Sequence, residues 1–430
     1  MVKDFVKFFV GETLASVSSS LFHHSKKGPL WTLLNKINCS LLRKIGLVAM
    51  PINSFQVYEK EYGALKRKKI SGGRIGNYKN SSPPNFPEEP TSQKELNGIY
   101  LTLLHNICFT GNSDILVDRE NNIIINDFCY GVGDNVLFSD SLLYREKQNV
   151  GLVRGIINIP AKEIDTGIHI CGKFSTNYYH ELYENLNRLL LLREVSIPVE
   201  VPVLVDEAVL RIPSLKVILY YLLDNKKRQV IPISPNQLYC CKTLYYLDHL
   251  HYIIPHRKNK NKVNKDENSY FDLNYLRLQR DELLKIKAQH STPKRLFLTR
   301  SNTTSRHFNE EEVFSVLQRY GFVKVFPGEL PFEEQVALFN NAEWIVGGSG
   351  AAFSNILFCN SACKSISFRA SRDIKGVPLF RTIALASGCS FWHYPADRLT
   401  SSNGLHSDYY IDPERFENII KKLINKSQEL

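Results

Sequence analysis

The sequence predicts an α/β protein whose second half is built on a parallel sheet. From residue 165 onward, short β-type runs alternate with helix-type runs, and alternation of that kind buries a parallel sheet between helices on both faces. The runs are bounded by residues that start and stop elements: Pro or Asn before helices, Gly after them. The composition is that of a folded chain, at 43% hydrophobic and 23% charged, with 21 Tyr and 24 Phe excluding wholesale disorder. At 430 residues the expectation is two or three domains.

In chain order, residues 1–96 are read as a basic helical N-terminal region followed by a linker. Leu30, Leu34, Ile37, Leu41, Ile45 and Val48 fall at helical spacing. That stripe fits a helix packed on its own domain or one lying on an anionic bilayer. The Gly, Ser and Pro of 71–96 mark a linker or long loop. Asp4, Lys7 and Glu12 interrupt the first apolar run, so no cleaved signal is expected. Residues 97–265 are read as one α/β domain. It opens on the runs DILVD and NIIIND and continues through a strand at 167–171, a helix at 178–192, a strand at 201–206, a helix near 213–223 and a strand near 229–233. The stretch 257–265, RKNKNKVNK, suits a solvated loop.

Residues 266–430 form the second α/β domain. RLFLTR (295–300) is a strand. Asn309 caps a helix with Glu310, Glu311 and Glu312 in its first turn and Gly321 as its stop. VKVFPG (323–328) is the next strand, and Pro331 opens the next helix. WIVGGSG (344–350) is a strand entering a glycine-rich turn, with AAFSNILF (351–358) the helix beyond it. KSISF (364–368), a helix near 377–387, FWHYP (391–395) and a helix from Pro413 complete the series.

The net charge of +11 favours an anionic partner. Nucleic acid is not expected, because no nucleic-acid-binding module is recognisable. No stretch of 18 uncharged apolar residues is present. The nine cysteines are an odd number at irregular spacing, which suits free thiols in a reducing compartment. On that view the sequons at Asn38, Asn80, Asn302 and Asn425 carry no meaning.

Several motifs nearly match and fail. Gly167 to Lys173 has the spacing of a phosphate-binding loop, but Phe174 stands where a hydroxyl should hold magnesium. Gly348-Ser349-Gly350 resembles a dinucleotide fingerprint, but Phe353 fills the third glycine position and Arg369 lies near where a ribose-binding acid belongs. Cys240, Cys241, Asp248, His249 and His251 lack structural zinc spacing. Ser349, with Asp397 and His406 downstream, makes a serine hydrolase an alternative. No Asp-x-Asp occurs, which argues against a carboxylate-held divalent metal.

Two constellations remain. Gly347, Gly348 and Gly350 let a backbone approach a ligand at the carboxyl end of a strand, where the following helix points its amides at a phosphate. Arg300 ends an earlier strand of that sheet, and Arg306 follows it. Guanidinium forks bind diphosphates at two points, although surface ion pairs also account for such arginines. On the other half, His180 and Glu184 are four apart on one helix face. A histidine so placed can take a proton from a hydroxyl, or can be structural.

Together, NYYHELYENLNRLLLL (177–192), RLFLTRSNTTSRHFNEEEV (295–313) and the block from Gly321 to Phe358 resemble the family-61 glycosyltransferases, the group that includes bacterial capsular-polysaccharide biosynthesis proteins. The resemblance covers roughly residues 100–400. It implies a GT-B-like fold, with two Rossmann-like domains facing a cleft: the acceptor side at 97–265 and the nucleotide-sugar side at 266–430. It implies inverting transfer of a sugar from a nucleotide sugar to a glycan hydroxyl, with no cofactor and no obligatory metal. The family's motif positions fall on His180, Arg300, Arg306, Glu334, Gln335, Gly350 and Asn355. His180 is the expected base, with Glu184 orienting it. Arg300, Arg306, Glu334, Gln335, the 347–351 turn (Gly347, Gly348, Ser349, Gly350, Ala351) and Asn355 are the expected donor site. This chain has Glu181 where many members have Trp, and Ser349 where many have His. Both positions are expected near substrate. A capsule-type acceptor is lipid-linked, which places the enzyme in the cytoplasm, peripheral on the inner face of the membrane and held there by its basic first 50 residues. A catalytically silent sugar-nucleotide-binding protein is a further alternative.

Overall fold

A run of alternating buried residues, Val48, Met50 and Ile52, forms a strand rather than a helix. The computed structural model describes residues 47–62, 66–71, 74–77, 93–96, 98–126, 136–137, 140–147, 150–223, 228–252, 270–300, 305–370, 377–399 and 407–426. The stripe read over Leu30 to Val48 lies outside them except for Val48, which is in a strand. The basic stretch 257–265 also lies outside. The chain divides into two units. The first takes in residues up to Gly72 and Asn97–Ser269. The second takes in Gly73–Leu96 and Tyr270–Leu430.

The first unit holds a twelve-stranded mixed sheet. Its strands are β1 (Leu47–Asn53), β2 (Lys66–Ser71), β3 (Ile99–Phe109), β4 (Leu116–Asp118), β5 (Ile123–Ile125), β6 (Val136–Leu137), β7 (Leu143–Lys147), β8 (Val150–Arg154), β9 (Lys162–His169), β10 (Val203–Asp206), β11 (Val230–Ile233) and β12 (Tyr239–Leu247). The order is 11-10-9-12-3-4-5-1-8-7-6, with β2 on β3. β9 lies between β10 and β12 and runs parallel to both. Chain direction across the sheet therefore reverses beside β9, and a ligand crevice belongs at the carboxyl ends of such strands.

A helical segment, 178–193, crosses from β9 to β10. Asn177 caps it by accepting the Tyr179 amide at 3.0 Å. Tyr178–His180 is an α-helical turn, Glu181–Asn185 is wound as a π-helix and Leu186–Arg193 as 3-10. Leu182, Tyr183, Leu186, Leu189, Leu190 and Leu191 are all buried, each worth about 1.5–3 kcal/mol. Arg188 is buried among them. It donates to the carbonyls of His169, Cys171 and Leu247, tying the helix to the carboxyl ends of β9 and β12.

The second unit holds β13 (Arg295–Leu298), β14 (Val323–Val325), β15 (Trp344–Gly348), β16 (Lys364–Ala370), β17 (Ser390–Arg398) and β18 (Tyr409–Tyr410), in the order 14-13-15-16-17-18. The first five are parallel and β18 is antiparallel. The switch point falls between β13 and β15. Helices Glu310–Gln318, Phe332–Asn341, Val377–Ser387 and Pro413–Lys426 and the 3-10 segment Ala351–Phe358 connect or follow the strands. Gly321 ends the first of these helices at φ +75°, a left-handed stop as the sequence predicts. Asn309 does not cap that helix. Its amide instead bonds Glu312 and both backbone groups of Ile411. Residues of the supposed linker, Arg74–Asn77 and Gln93–Leu96, pair as antiparallel strands.

The expectation of free thiols is corrected for two cysteines. Cys108 and Cys240 stand opposite each other on antiparallel β3 and β12 and form a disulfide. Alternating short and long stretches of an antiparallel ladder bring some facing pairs within bonding reach, and spacing along the chain does not reveal which.

Candidate functional site

In the first unit the carboxyl ends of β9 and β12 carry a buried chain of charges. Lys173 follows β9, and its ammonium lies 2.8 Å from Asp114 and 3.6 Å from Glu184. The Lys173 amide also donates to Asp114. Glu184 reaches His180 Nδ1 at 2.5 Å. His249, after β12, bonds the Glu184 carbonyl at 2.9 Å and lies 3.9 Å from Asp114. Lys173, Asp114 and Glu184 are closed to solvent, whereas the His180 side chain keeps 18% of its surface. His180 is thus the open end of the chain, with its ring against Phe174 and Tyr179.

The electrostatics follow from the packing. Burial alone would raise Asp114, but Lys173, His249 and two hydrogen bonds from Lys173 outweigh it and hold the carboxyl at about 2. Burial depresses His249 to about 3, so it is neutral. At His180 the Glu184 carboxylate accepts from Nδ1, which leaves Nε2 as the ring's other nitrogen. The local backbone is shaped for this arrangement. A Cβ on Gly172 would stand 2.0 Å from Asn185 Oδ1, and the Gly172 amide donates to Asp206. Phe174 sits at φ +57°, outside the usual range for a side-chain-bearing residue.

The sequence places His180 and Glu184 correctly side by side. It misses Lys173, Asp114 and His249. Two of these lie within motifs set aside as false matches, Lys173 in the near phosphate loop and His249 in the near zinc cluster. Glu181 is corrected. It is fully buried and accepts from Asn185 at 2.6 Å, so it does not face a substrate. Burial, and then Asp206, hold it well above the usual carboxylate range.

In the second unit the carboxyl rim of β13, β15 and β16 is basic. Arg300 is buried, and its guanidinium donates to the carbonyls of Ser349 and Ser305, each at 3.0 Å. Its amide donates to Glu310 at 2.8 Å. The surface-ion-pair account of Arg300 is therefore corrected: it clamps the glycine turn to the loop after β13. The glycines serve that packing. A Cβ at Gly350 would lie 2.2 Å from Arg300 Nη1, one at Gly348 would lie 2.4 Å from Arg300 Cδ, and one at Gly347 would lie 2.6 Å from the Leu298 carbonyl oxygen. Arg306 holds φ +59°. The charges of Arg300, Arg306 and Arg369 all act on the buried Tyr409 hydroxyl, whose proton burial holds more tightly than usual. Arg369, at the end of β16, is the rim residue the sequence reading left out of the site.

Other expected donor residues lie deeper. Asn355 donates to Gln335 at 2.9 Å, Gln335 donates to the Leu330 carbonyl, and both residues are buried. They join segment 351–358 to helix Phe332–Asn341. Glu334 and Ala351 are half-buried. Ser349 is buried, its amide donating to Phe368 and its carbonyl accepting from Arg300. Among the described residues no histidine or carboxylate bonds its hydroxyl. Asp397 lies on β17, and His406 is outside the described residues.

Residues 178–366 match the family model described as Glycosyltransferase 61. The resemblance to glycosyltransferase family 61 is thus shown over these residues. The matched stretch begins at the turn bearing His180 and ends within β16, so it takes in the His180–Glu184 pair, Arg300, Arg306 and the glycine turn. The family 61 match indicates glycosyltransferase activity, with a sugar donor and a glycan acceptor as the general partners. No curated protein matches the chain. No helix among the described residues is long and apolar enough to cross a membrane.

Proposed function

We propose that this glycosyltransferase transfers a sugar from a nucleotide-sugar donor to a glycan hydroxyl with inversion at the anomeric carbon. The observation that carries the reading is the 2.5 Å contact of His180 Nδ1 with Glu184, backed by a buried Lys173 and open at the ring's other edge. In the proposed step His180 Nε2 takes the acceptor proton and the acceptor oxygen forms a bond to the anomeric carbon. The bond from that carbon to the diphosphate breaks, and its electron pair leaves on the diphosphate. A single displacement of this kind inverts the centre. Arg306 and Arg369 receive the diphosphate charge, and Arg300 holds the turn they flank. Glu334 and Ala351 border the donor sugar. No divalent metal is required, in keeping with the lack of an Asp-x-Asp in the sequence. The fold on this reading is GT-B-like, and water is excluded from the donor during transfer. The pathway is surface or capsular polysaccharide synthesis, with a lipid-linked acceptor at the inner face of the cytoplasmic membrane.

The test is sugar transfer by purified protein over a panel of nucleotide sugars, with and without EDTA, followed by NMR assignment of the product anomer. His180→Ala is expected to lower kcat about 100-fold or more with donor binding retained. Transfer within tenfold of wild type would remove His180 from the chemistry.

A further inference from the structure

Away from both rims, the second unit gathers three of its cysteines. Cys359, Cys363 and Cys389 are buried, and their sulfurs all lie within 4.8 Å of one another. They are thiols, in contrast to the bonded pair Cys108–Cys240. An odd set of three cannot be used up by disulfides within itself. Cys359 follows segment Ala351–Phe358, and Cys363 closes the turn after it, its amide donating to the Asn360 carbonyl. Cys389 stands after Gly388, which holds φ +79° and packs that turn against Ser361. The Ser390 amide donates to the Cys363 carbonyl at 3.0 Å, joining the two turns. The three sulfurs are therefore placed by backbone, not by chance rotamers.

The spacing Cys-x3-Cys followed by a distant third cysteine is that of thiolate metal sites. Three sulfurs on one tetrahedral zinc at about 2.3 Å each need only a modest inward shift from the observed separations. A hydroxyl adjoins one of the three sulfurs. Ser365 Oγ lies 3.4 Å from Cys389 Sγ and gives its proton to the Ser390 carbonyl at 2.9 Å, leaving an oxygen lone pair for a metal. Arg280 donates to the Cys359 carbonyl at 3.0 Å, so a cation adjoins the net negative charge that three thiolates on a divalent ion would leave.

We propose that Cys359, Cys363 and Cys389 bind one thiophilic d10 ion, zinc(II), with the Ser365 hydroxyl in the fourth position. The ion is a structural clamp. It ties the end of segment 351–358 to the start of β17, and the other end of that segment is the glycine turn held by Arg300. It takes no part in sugar transfer, and the proposal stands or falls apart from the transfer mechanism.

The test uses the reduced full-length chain, stripped of metal and titrated with cobalt(II) as a spectroscopic stand-in. The expected result is a thiolate-to-cobalt charge-transfer band with intense tetrahedral visible bands, saturating at one ion per chain and displaced by zinc. Cys359→Ala, Cys363→Ala and Cys389→Ser should each weaken binding beyond the roughly 10–100-fold that a change outside the ligand shell produces. Cys241→Ala, in the other unit, should leave the bands in place. If the ligand variants do not fold, the wild-type protein still decides. Titration with an organomercurial should release zinc, read by a chromogenic chelator, in step with three thiols. A chain with no charge-transfer band, a band indifferent to all three cysteines, or a peptide map joining two of the three in a disulfide overturns the proposal.

Discussion

Replacing Lys173 with Met should reverse the sign of part of the protein's pH dependence. In the native chain Lys173 lies 2.8 Å from Asp114 and 3.6 Å from Glu184, with all three side chains at most 6% exposed. Asp114 falls from its ordinary 3.8 to about 2 because Lys173 and His249 outweigh burial. That depression is worth roughly 2.5 kcal/mol of stability. A carboxyl with a depressed folded pKa stabilises fully above its unfolded value and loses that contribution as pH falls through the folded one. For Asp114 the window runs from 3.8 down to about 2. In Lys173→Met the burial effect on Asp114 is no longer offset, and its carboxyl favours protonation in the folded state. Stability should then fall as pH rises above the ordinary carboxylate range, the opposite slope, and the loss at neutral pH should be about 3–5 kcal/mol, the cost of unpairing a buried ion pair. Hydrogen exchange read peptide by peptide over 162–173 and 239–249 between pH 5 and 8 isolates the first unit. Protection within about 1 kcal/mol of wild type, with an unchanged slope, would refute the buried-charge account.

Two further outcomes follow from the second unit. Gly347→Ala should destabilise more than Gly350→Ala, because the first Cβ meets the Leu298 backbone at 2.6 Å while the second meets the movable tip of Arg300. About 1–3 kcal/mol is expected for Gly350→Ala, and equal melting shifts for the two would contradict the clamp. His393 is buried beside Arg369 and lowered from 6.5 to about 4, by burial first and then by Arg369. Its unfolded form binds a proton that the folded form refuses, so it contributes about 3 kcal/mol above pH 6.5 that is lost as pH falls toward 4. Urea midpoints between pH 4 and 7 should flatten in His393→Phe, and an unaltered slope would count against it.

Much of the second unit was legible because its signals are local. Helix stops such as Gly321 and the run WIVGG depend on neighbours a few residues away, and the strands fell where alternation placed them. The His180–Glu184 pair was legible for the same reason, since four residues along a helix is one turn. The N-terminal strand Leu47–Asn53 was misread because its alternating Val48, Met50 and Ile52 follow a stretch with helical spacing. Local spacing says nothing of which partner strand a run will find. Gln335 and Asn355, expected at the donor, bond each other in the core, because which face of a helix meets its neighbour is settled by packing.

The sequence by itself determined the α/β class of the second half, the resemblance to family 61, the His180–Glu184 spacing and the presence of Arg300 and Arg306 beside a glycine-rich turn. These are properties of residue type and short separation. Only the tertiary structure decided that Asp114, 59 residues before Lys173, neutralises it, that Arg369 joins the basic rim, that Arg300 fills the space the glycines leave, and that Cys108 faces Cys240 while three other cysteines converge. Each of these is a meeting of groups far apart in the chain. Their charge and volume are compensated only once the sheets bring them together, and no local rule of spacing encodes that.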